Sequence, residues 1–262
     1  MKDIKYVYHS AALVSFNNHD RKKMMDANVR GTANIVNAAL INNIEKLCFV
    51  SSIAAFGKHE DNLIIDEQTP RSPSQKRSVY SLSKYKAELE VWRGIAEGLE
   101  AVIVNPSVIL GYYSWNYGSS NIFPVINKGL KIYASGSTGF VDVRDVVKIM
   151  ISLMHSNISG ERFCISSENL SYRDIINQVS GCLDKKEPPF YLYPFFLRCY
   201  ALSLSIISTF TGNTPQVSIE SARSAYKNSA FSNEKIRKLL NYEFIPVKQT
   251  IAELAAIFLR LQ

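Results

Sequence analysis

The chain has 262 residues, 47% hydrophobic and 20% charged, which suits one large globular domain or one domain with a small appendage and leaves no room for a low-complexity class. Its formal charge of +7 is spread over Lys and Arg that stand singly or in short runs such as Arg21-Lys22-Lys23. No basic block is interleaved with aromatics, so nucleic-acid binding is not expected, while a modest pull on an anionic cofactor is. The cysteines Cys48, Cys164, Cys182 and Cys199 are dispersed and no Cys/His cluster offers metal ligands. Cys48 and Cys164 lie in apolar runs where a free thiol behaves as a small hydrophobe. With no signal-peptide pattern at Met1, a reducing, cytoplasmic setting is expected.

In chain order, residues 4–12 read as a short buried strand running through His9 into a small-residue turn at Ala11-Ala12. Residues 20–41 are helical, with Met24, Met25, Val29, Ala33, Ile35, Val36 and Ala39 as the apolar stripe. Residues 46–52 form the near-continuous apolar run of a parallel strand covered on both faces, ending in Ser51-Ser52 and a loop to Gly57. Loop chemistry follows at residues 66–70 and at Ser72-Pro73. The next helix carries Tyr80 and Lys84 and extends to about Gly98. Residues 101–104 are another buried strand, stopped by Asn105-Pro106-Ser107. Alternating helices and continuous apolar strands predict a parallel α/β sheet, in which ligands gather at the strand carboxyl ends. His9 to Ala12, Ser51-Ser52 and Asn105 to Ser107 all fall there.

Beyond Gly111 the pattern loosens. Residues 112–118 form an aromatic, turn-rich loop, 120–128 a helix, 131–134 a strand, 136–139 a turn and 140–143 a short strand. Asp145 opens a helix over 146–155, and 162–166 make a last buried strand. The rest is mainly helical: 172–183, 218–226, 234–240 and 249–261. The apolar stretch 193–210, interrupted by Arg198 and with Pro194 near its start, reads as a buried or interface helix pair. Contact with a membrane surface through 193–210 is the alternative.

Tyr80 and Lys84 are four residues apart and share a helix face. An ammonium there favours ionisation of a phenol whose ordinary pKa is roughly 10, making Tyr80 a proton donor and acceptor near neutral pH. Among 14 Tyr such a spacing arises by chance, and an amphipathic helix with a solvated Lys explains it equally. The pair gains weight from its company. Tyr8-His9-Ser10-Ala11-Ala12, Asn28 to Asn34, Val50-Ser51-Ser52 through Gly57, Tyr80 to Lys84, Asn105-Pro106-Ser107 through Gly111, and Phe140 to Asp145 occur in that order. Together they resemble the extended short-chain dehydrogenase/reductases, the NAD-dependent epimerase/dehydratase family, in its dihydroflavonol-4-reductase-like and 3β-hydroxysteroid-dehydrogenase-like branch.

The resemblance implies a Rossmann-type doubly wound parallel sheet over residues 1–111 and 140–166, and a smaller, mostly helical substrate-binding part over 112–139 and 167–262. It implies Tyr80 as general acid/base, Lys84 as its tuning partner and ribose contact, and Ser52 as the orienting hydroxyl, with Ser51 serving the strand end. Ala11, Ala12, Ser51, Tyr80, Lys84, Pro106, Ser107 and Val108 are the implied contacts to NAD or NADP. Asn28 is the family's structural helix Asn, and His9 a packed strand-end histidine. Tyr112, Tyr113, Trp115 and Asn121 are the implied substrate contacts, their aromatic character suggesting an apolar or ring-containing small molecule. The other reading of that loop is that it packs its own aromatics over the C-terminal helices. Helices 20–41 and 80–98 match those of the family's homodimer.

One departure is large. The 12 glycines contain no GxGxxG or GxxGxxG, and Lys5 already matches what resembles the fourth strand. The Gly-rich βαβ part with its diphosphate cradle is therefore expected to be absent, leaving the strand at Tyr6 as an edge. The principal expectation is an NAD(P)-dependent oxidoreductase interconverting a ketone and a secondary alcohol. The alternatives are a non-catalytic truncated remnant acting as a binding or dimerisation module, and sugar-nucleotide epimerase/dehydratase chemistry. Dehydratases usually place an acidic pair beside the Ser, and Ser52-Ile53-Ala54 has none.

Overall fold

The computed structural model describes residues 3–15, 20–57, 64–71, 78–197 and 225–261. Most of the 193–210 segment, nearly all of the expected helix 218–226, Ser72-Pro73 and Cys199 lie outside them. A four-stranded parallel sheet forms the core in the order β1-β2-β3-β7, with β1 at Tyr6–His9, β2 at Lys46–Val50, β3 at Ala101–Pro106 and β7 at Glu161–Ile165. β2 and β3 are apolar almost throughout because both their faces are covered. Successive side chains serve opposite layers. Leu47 and Phe49 meet α2 (Gly31–Ile41) and α3 (Val79–Ala96) through Val36, Ala39, Ala87 and Val91. Cys48, Val102 and Val104 meet α5 (Val143–Met154) and α7 (Glu234–Leu240) through Val146, Ile149, Leu153 and Ile236.

Among the described residues β1 pairs only with β2, so it is the edge that the sequence leads one to expect. It is not the buried strand that its apolar run suggests: Tyr6 and Tyr8 are 41% and 42% exposed.

The second layer of structure hangs on a three-stranded sheet, β4 (Val108–Leu110), β6 (Ser137–Asp142) and β8 (Glu168–Ser171), whose central β6 runs parallel to β4 and antiparallel to β8. Against it α4 (Ile122–Asn127), α6 (Tyr172–Cys182) and α8 (Val247–Arg260) enclose Phe123, Phe140, Ile175, Val179, Ile251 and Phe258. A short parallel pair, β5 (Ile132–Tyr133) with β9 (Phe190–Tyr191), borders it.

Three local expectations need correcting. Residues 20–41 are not one helix: α1 (Arg21–Met25) passes through a single π turn at Asp26–Arg30 before α2 begins, the kind of bulge that re-aims side chains at functional sites. The region 136–139 is not a turn, because Ser137 to Gly139 pair with β8. Residues 120–128 begin as a 3-10 turn, Ser119–Asn121, before α4.

Three helix entries carry side-chain caps. Ser78 Oγ accepts from Ser81 N at 3.0 Å at the start of α3, Asp142 caps α5 at 2.7 Å, and Ser171 with Asp174 makes a capping box on α6. Close approach fixes the loop after β2: a Cβ on Gly57 would stand 1.9 Å from the Pro70 carbonyl oxygen. Backbone cannot step aside as a flexible side chain can, so Gly57→Ala is expected to lower the unfolding free energy by about 2 kcal/mol or more. Urea denaturation of the two proteins checks this, and an unchanged midpoint would contradict the packing described.

Candidate active site

β2 delivers Ser51 and Ser52 to its carboxyl end. Ser51 is buried, and its Oγ donates to Glu88 Oε2 at 2.8 Å. Ser52 is half-buried and caps the 3-10 turn Ile53–Ala55, accepting from Ala54 N at 3.2 Å. Tyr80 lies in the first turn of α3, placed there by the Ser78 cap, and its phenol hydrogen-bonds the Ser52 side chain. Lys84 follows one turn later, 2% exposed. Its Nζ donates to Val50 O at 2.8 Å and stands 4.7 Å from the Phe49 ring centroid. The structure thus brings Ser52, Tyr80 and Lys84 to one end of the sheet.

The electrostatics differ from the sequence expectation. Burial pushes the Tyr80 phenol above its ordinary pKa, against the opposing effect of the Ser52 hydrogen bond. The Lys84 ammonium is held by the Val50 carbonyl at the end of β2. Lys84 itself is brought down to about 8, mainly by burial, with the Glu88 charge acting in the opposite sense. The phenol is therefore held protonated at neutral pH.

Around this centre, His9 is the packed histidine expected: its Nε2 shares a 3.0 Å hydrogen bond with Thr32 Oγ1 and its ring lies 5.4 Å from Phe49. Burial first and the Lys84 charge second hold it below its ordinary pKa. Ala11 and Ala12 leave the end of β1 exposed. The backbone just beyond them is pinned by Asn28, which accepts from Leu13 N at 2.6 Å and donates to Leu13 O at 2.9 Å. Asn28 Nδ2 also donates to Ser83 Oγ at 2.9 Å, tying the π turn to α3. Pro106 ends β3 buried, Ser107 is buried with a hydroxyl that has no partner among the described residues, and Val108 is half-buried at the start of β4.

The four implied substrate contacts separate. Trp115 packs into the C-terminal core, its ring centroid 4.8 Å from Phe258 and 5.5 Å from Phe123. For that residue the self-packing reading holds. Tyr112 lies over the outer side of Trp115 at 4.7 Å, Tyr113 is 92% exposed, and Asn121 is exposed at the entry to α4.

Sequence reasoning passed over Glu88, Arg162 and the side chain of Asn105. Asn105 Nδ2 donates to both Glu88 Oε2 (2.9 Å) and Ser52 O (3.0 Å), and Arg162 Nη1 donates to Glu88 Oε1 (2.9 Å). The spacing from Lys84 to Glu88, again four residues, was available as a signal; the partner on β7 was not.

A family model for the NAD dependent epimerase/dehydratase family matches residues 1–166, close to the whole parallel sheet and the site built on it. The chain belongs to this family. It is similar, at 32% identity and a TM-score of 0.83, to the crystal structure of gox2253, over 99% of this chain and 80% of that one. It is 24% identical to sterol demethylase protein B of Methylococcus capsulatus, over 98% of this chain and 80% of the relative. It is also 26% identical, over 97% of this chain and 76% of the other, to a Synechocystis protein provisionally named a dihydroflavonol 4-reductase. These findings bear out the expected fold and the NAD(P)-dependent oxidoreductase class within the extended short-chain family.

The residues present fit the nicotinamide end of NAD or NADP. Small side chains leave the β1 end open, and Ser107 holds a buried hydroxyl free beside the end of β3. No glycine-rich turn for a diphosphate occurs in the sequence.

A buried ammonium has a measurable signature. Lys84 in the folded chain has a value of about 8 against the ordinary 10.5, so the folded state sheds its proton before the unfolded state does. Its contribution to stability therefore rises with pH between these values and is most unfavourable below about 8. Lys84→Met is expected to stabilise the chain at pH 7 by roughly 1–3 kcal/mol after allowance for the lost Val50 hydrogen bond, with the gain shrinking as pH rises through that window. Urea unfolding at pH 7 and pH 10 measures both; a gain that does not shrink speaks against burial as its cause.

Proposed function

We propose that the chain carries out carbonyl–alcohol interconversion on a ring-bearing small molecule, with Tyr80 as general acid/base, Ser52 as the group that orients the reacting oxygen, and Lys84 as the neighbouring cation. The observation that carries this is the hydrogen bond between the Tyr80 phenol and the Ser52 side chain at the carboxyl end of β2, with Lys84 one turn further along the same helix. A buried phenol with a raised pKa keeps its O–H at neutral pH and can donate it to an oxygen that gains negative charge. Ser52 can hold that same oxygen. NAD or NADP, when bound, supplies or accepts the hydride. Ala11, Ala12, Ser51, Pro106, Ser107 and Val108 frame the place for its nicotinamide, and Lys84 would turn toward its ribose.

The substrate class rests on Tyr112 and Tyr113, which offer aromatic surface to solvent near β4, and on the ring systems in the names of the two relatives, a sterol and a dihydroflavonol. Sugar-nucleotide dehydration is disfavoured by Ile53 and Ala54, which put no acid beside Ser52. A homodimer through α2 and α3 is supported by the apolar surface they leave open, Ile41 and Leu89. We place the protein in the cytoplasm on its free cysteines Cys48, Cys164 and Cys182. Among the described residues no helix is long and apolar enough to cross a membrane.

Oxidation of NADH and NADPH over a panel of ring-bearing ketones tests the assignment. Tyr80→Phe removes the donor O–H while keeping the ring, and is expected to slow turnover by about 10²–10⁴-fold. Equal rates in the two proteins, or no nucleotide binding by calorimetry, would sink it.

A further inference from the structure

We propose that Glu88 is the positioning residue of this site: it ties Ser51 after β2, Asn105 on β3 and Arg162 on β7 to α3, and sets the field at the neighbouring Lys84. The inference deepens the functional reading above and rests on Ser52, Tyr80 and Lys84 being the reacting centre.

Glu88 is a carboxylate 1% exposed in the middle of α3, a place where an acid is costly unless every oxygen is answered. Both oxygens are. Oε2 accepts from Ser51 Oγ at 2.8 Å and Asn105 Nδ2 at 2.9 Å; Oε1 accepts from Arg162 Nη1 at 2.9 Å and from Trp92 Nε1 at 3.5 Å. The first three partners come from three strands: Ser51 follows β2, Asn105 lies near the carboxyl end of β3, and Arg162 near the start of β7. Ser51 adjoins Ser52 and follows Val50, whose carbonyl holds Lys84. Asn105 passes the constraint directly to the working serine through its second hydrogen, on Ser52 O at 3.0 Å. Arg162, in turn, donates through Nε to the Glu67 carbonyl at 2.9 Å.

The same carboxylate acts on Lys84 through charge. The groups facing Lys84 are Glu88 on its own helix and His9 from β1; Phe49 and the Val50 carbonyl complete the shell from β2. Of these Glu88 is the anion, and it opposes the burial that drives Lys84 downward. Arg162 shares that anion from the far side, so it competes with Lys84 for the field of Glu88.

This arrangement predicts opposite responses to two substitutions, which a merely structural role does not. The Lys84 midpoint is read by NMR of the full chain labelled with ¹³C-lysine, assigned with Lys84→Arg and recorded without nucleotide or ketone. Wild type is expected to titrate at about 8. Glu88→Gln is expected to lower the midpoint by about one pH unit, and Arg162→Gln to raise it by a similar amount. Movement of both in one direction, or of neither, overturns the proposal. If Glu88→Gln cannot be purified folded, Arg162→Gln decides alone: an upward shift supports the role and any other result refutes it. Because these titrations need no turnover, they fail or succeed independently of the Tyr80→Phe kinetics that test the reaction itself.

Discussion

The ammonium of Lys84 is buried at the carboxyl end of a parallel sheet, and much of the surrounding structure answers that fact. A cation removed from water is tolerated only with an anion and hydrogen-bond acceptors at hand. Here the acceptor is the Val50 carbonyl, the ring face of Phe49 lies beneath, and the anion is Glu88 one turn further along α3. A buried anion makes the same demand in return. Ser51, Asn105, Arg162 and Trp92 meet it, and Arg162 then needs an acceptor of its own, which the Glu67 backbone provides. One buried charge thus recruits residues from three strands, one helix and the loop at 64–71.

Such a network specifies geometry more than it adds stability. A polar cluster of this kind is favourable only when complete, since an unpaired member costs the full desolvation of its group. The apolar layers on the two faces of the sheet would tolerate small shifts of α3, because burial is non-directional. The Glu88 cluster would not, since its hydrogen bonds fix α3 along and around its axis. Asn28 does similar work from the other side: the π turn lets its amide bridge the loop after β1 and Ser83 on α3. Tyr80, in the first turn of α3, inherits its position from both.

Much of the sheet was legible in sequence because β2 and β3 are continuous apolar runs and the helices between them are long and periodic. The strand β1 was less so: its Tyr-Val-Tyr run looks buried, although its match to a fourth strand already pointed to an edge, and Tyr6 and Tyr8 are exposed. The π turn left no trace because one extra residue in a helix barely disturbs a hydrophobic stripe. β4 and β8 are short and only partly buried, so neither period nor composition marks them. In the site, order and spacing singled out Ser52, Tyr80 and Lys84, which the fold brings together, whereas the direction in which Lys84 points depends on which carbonyl ends β2. Trp115 was ambiguous for a related reason, since an aromatic in a loop packs inward or outward according to what the distant α8 presents.

Burial acts in opposite senses on two ionisable groups that stand one turn apart on α3. An exposed tyrosine and an exposed lysine titrate close together, the phenol at roughly 10 and the amine slightly above. In this fold burial moves them past each other: the phenol rises while the ammonium falls to about 8. On raising the pH the lysine therefore loses its proton first, and the cation able to stabilise a phenolate is gone before one forms. In the proposed role of acid/base Tyr80 thus starts from its protonated form, and by microscopic reversibility the same O–H serves reduction and oxidation alike, with the Lys84 ammonium held on the Val50 carbonyl.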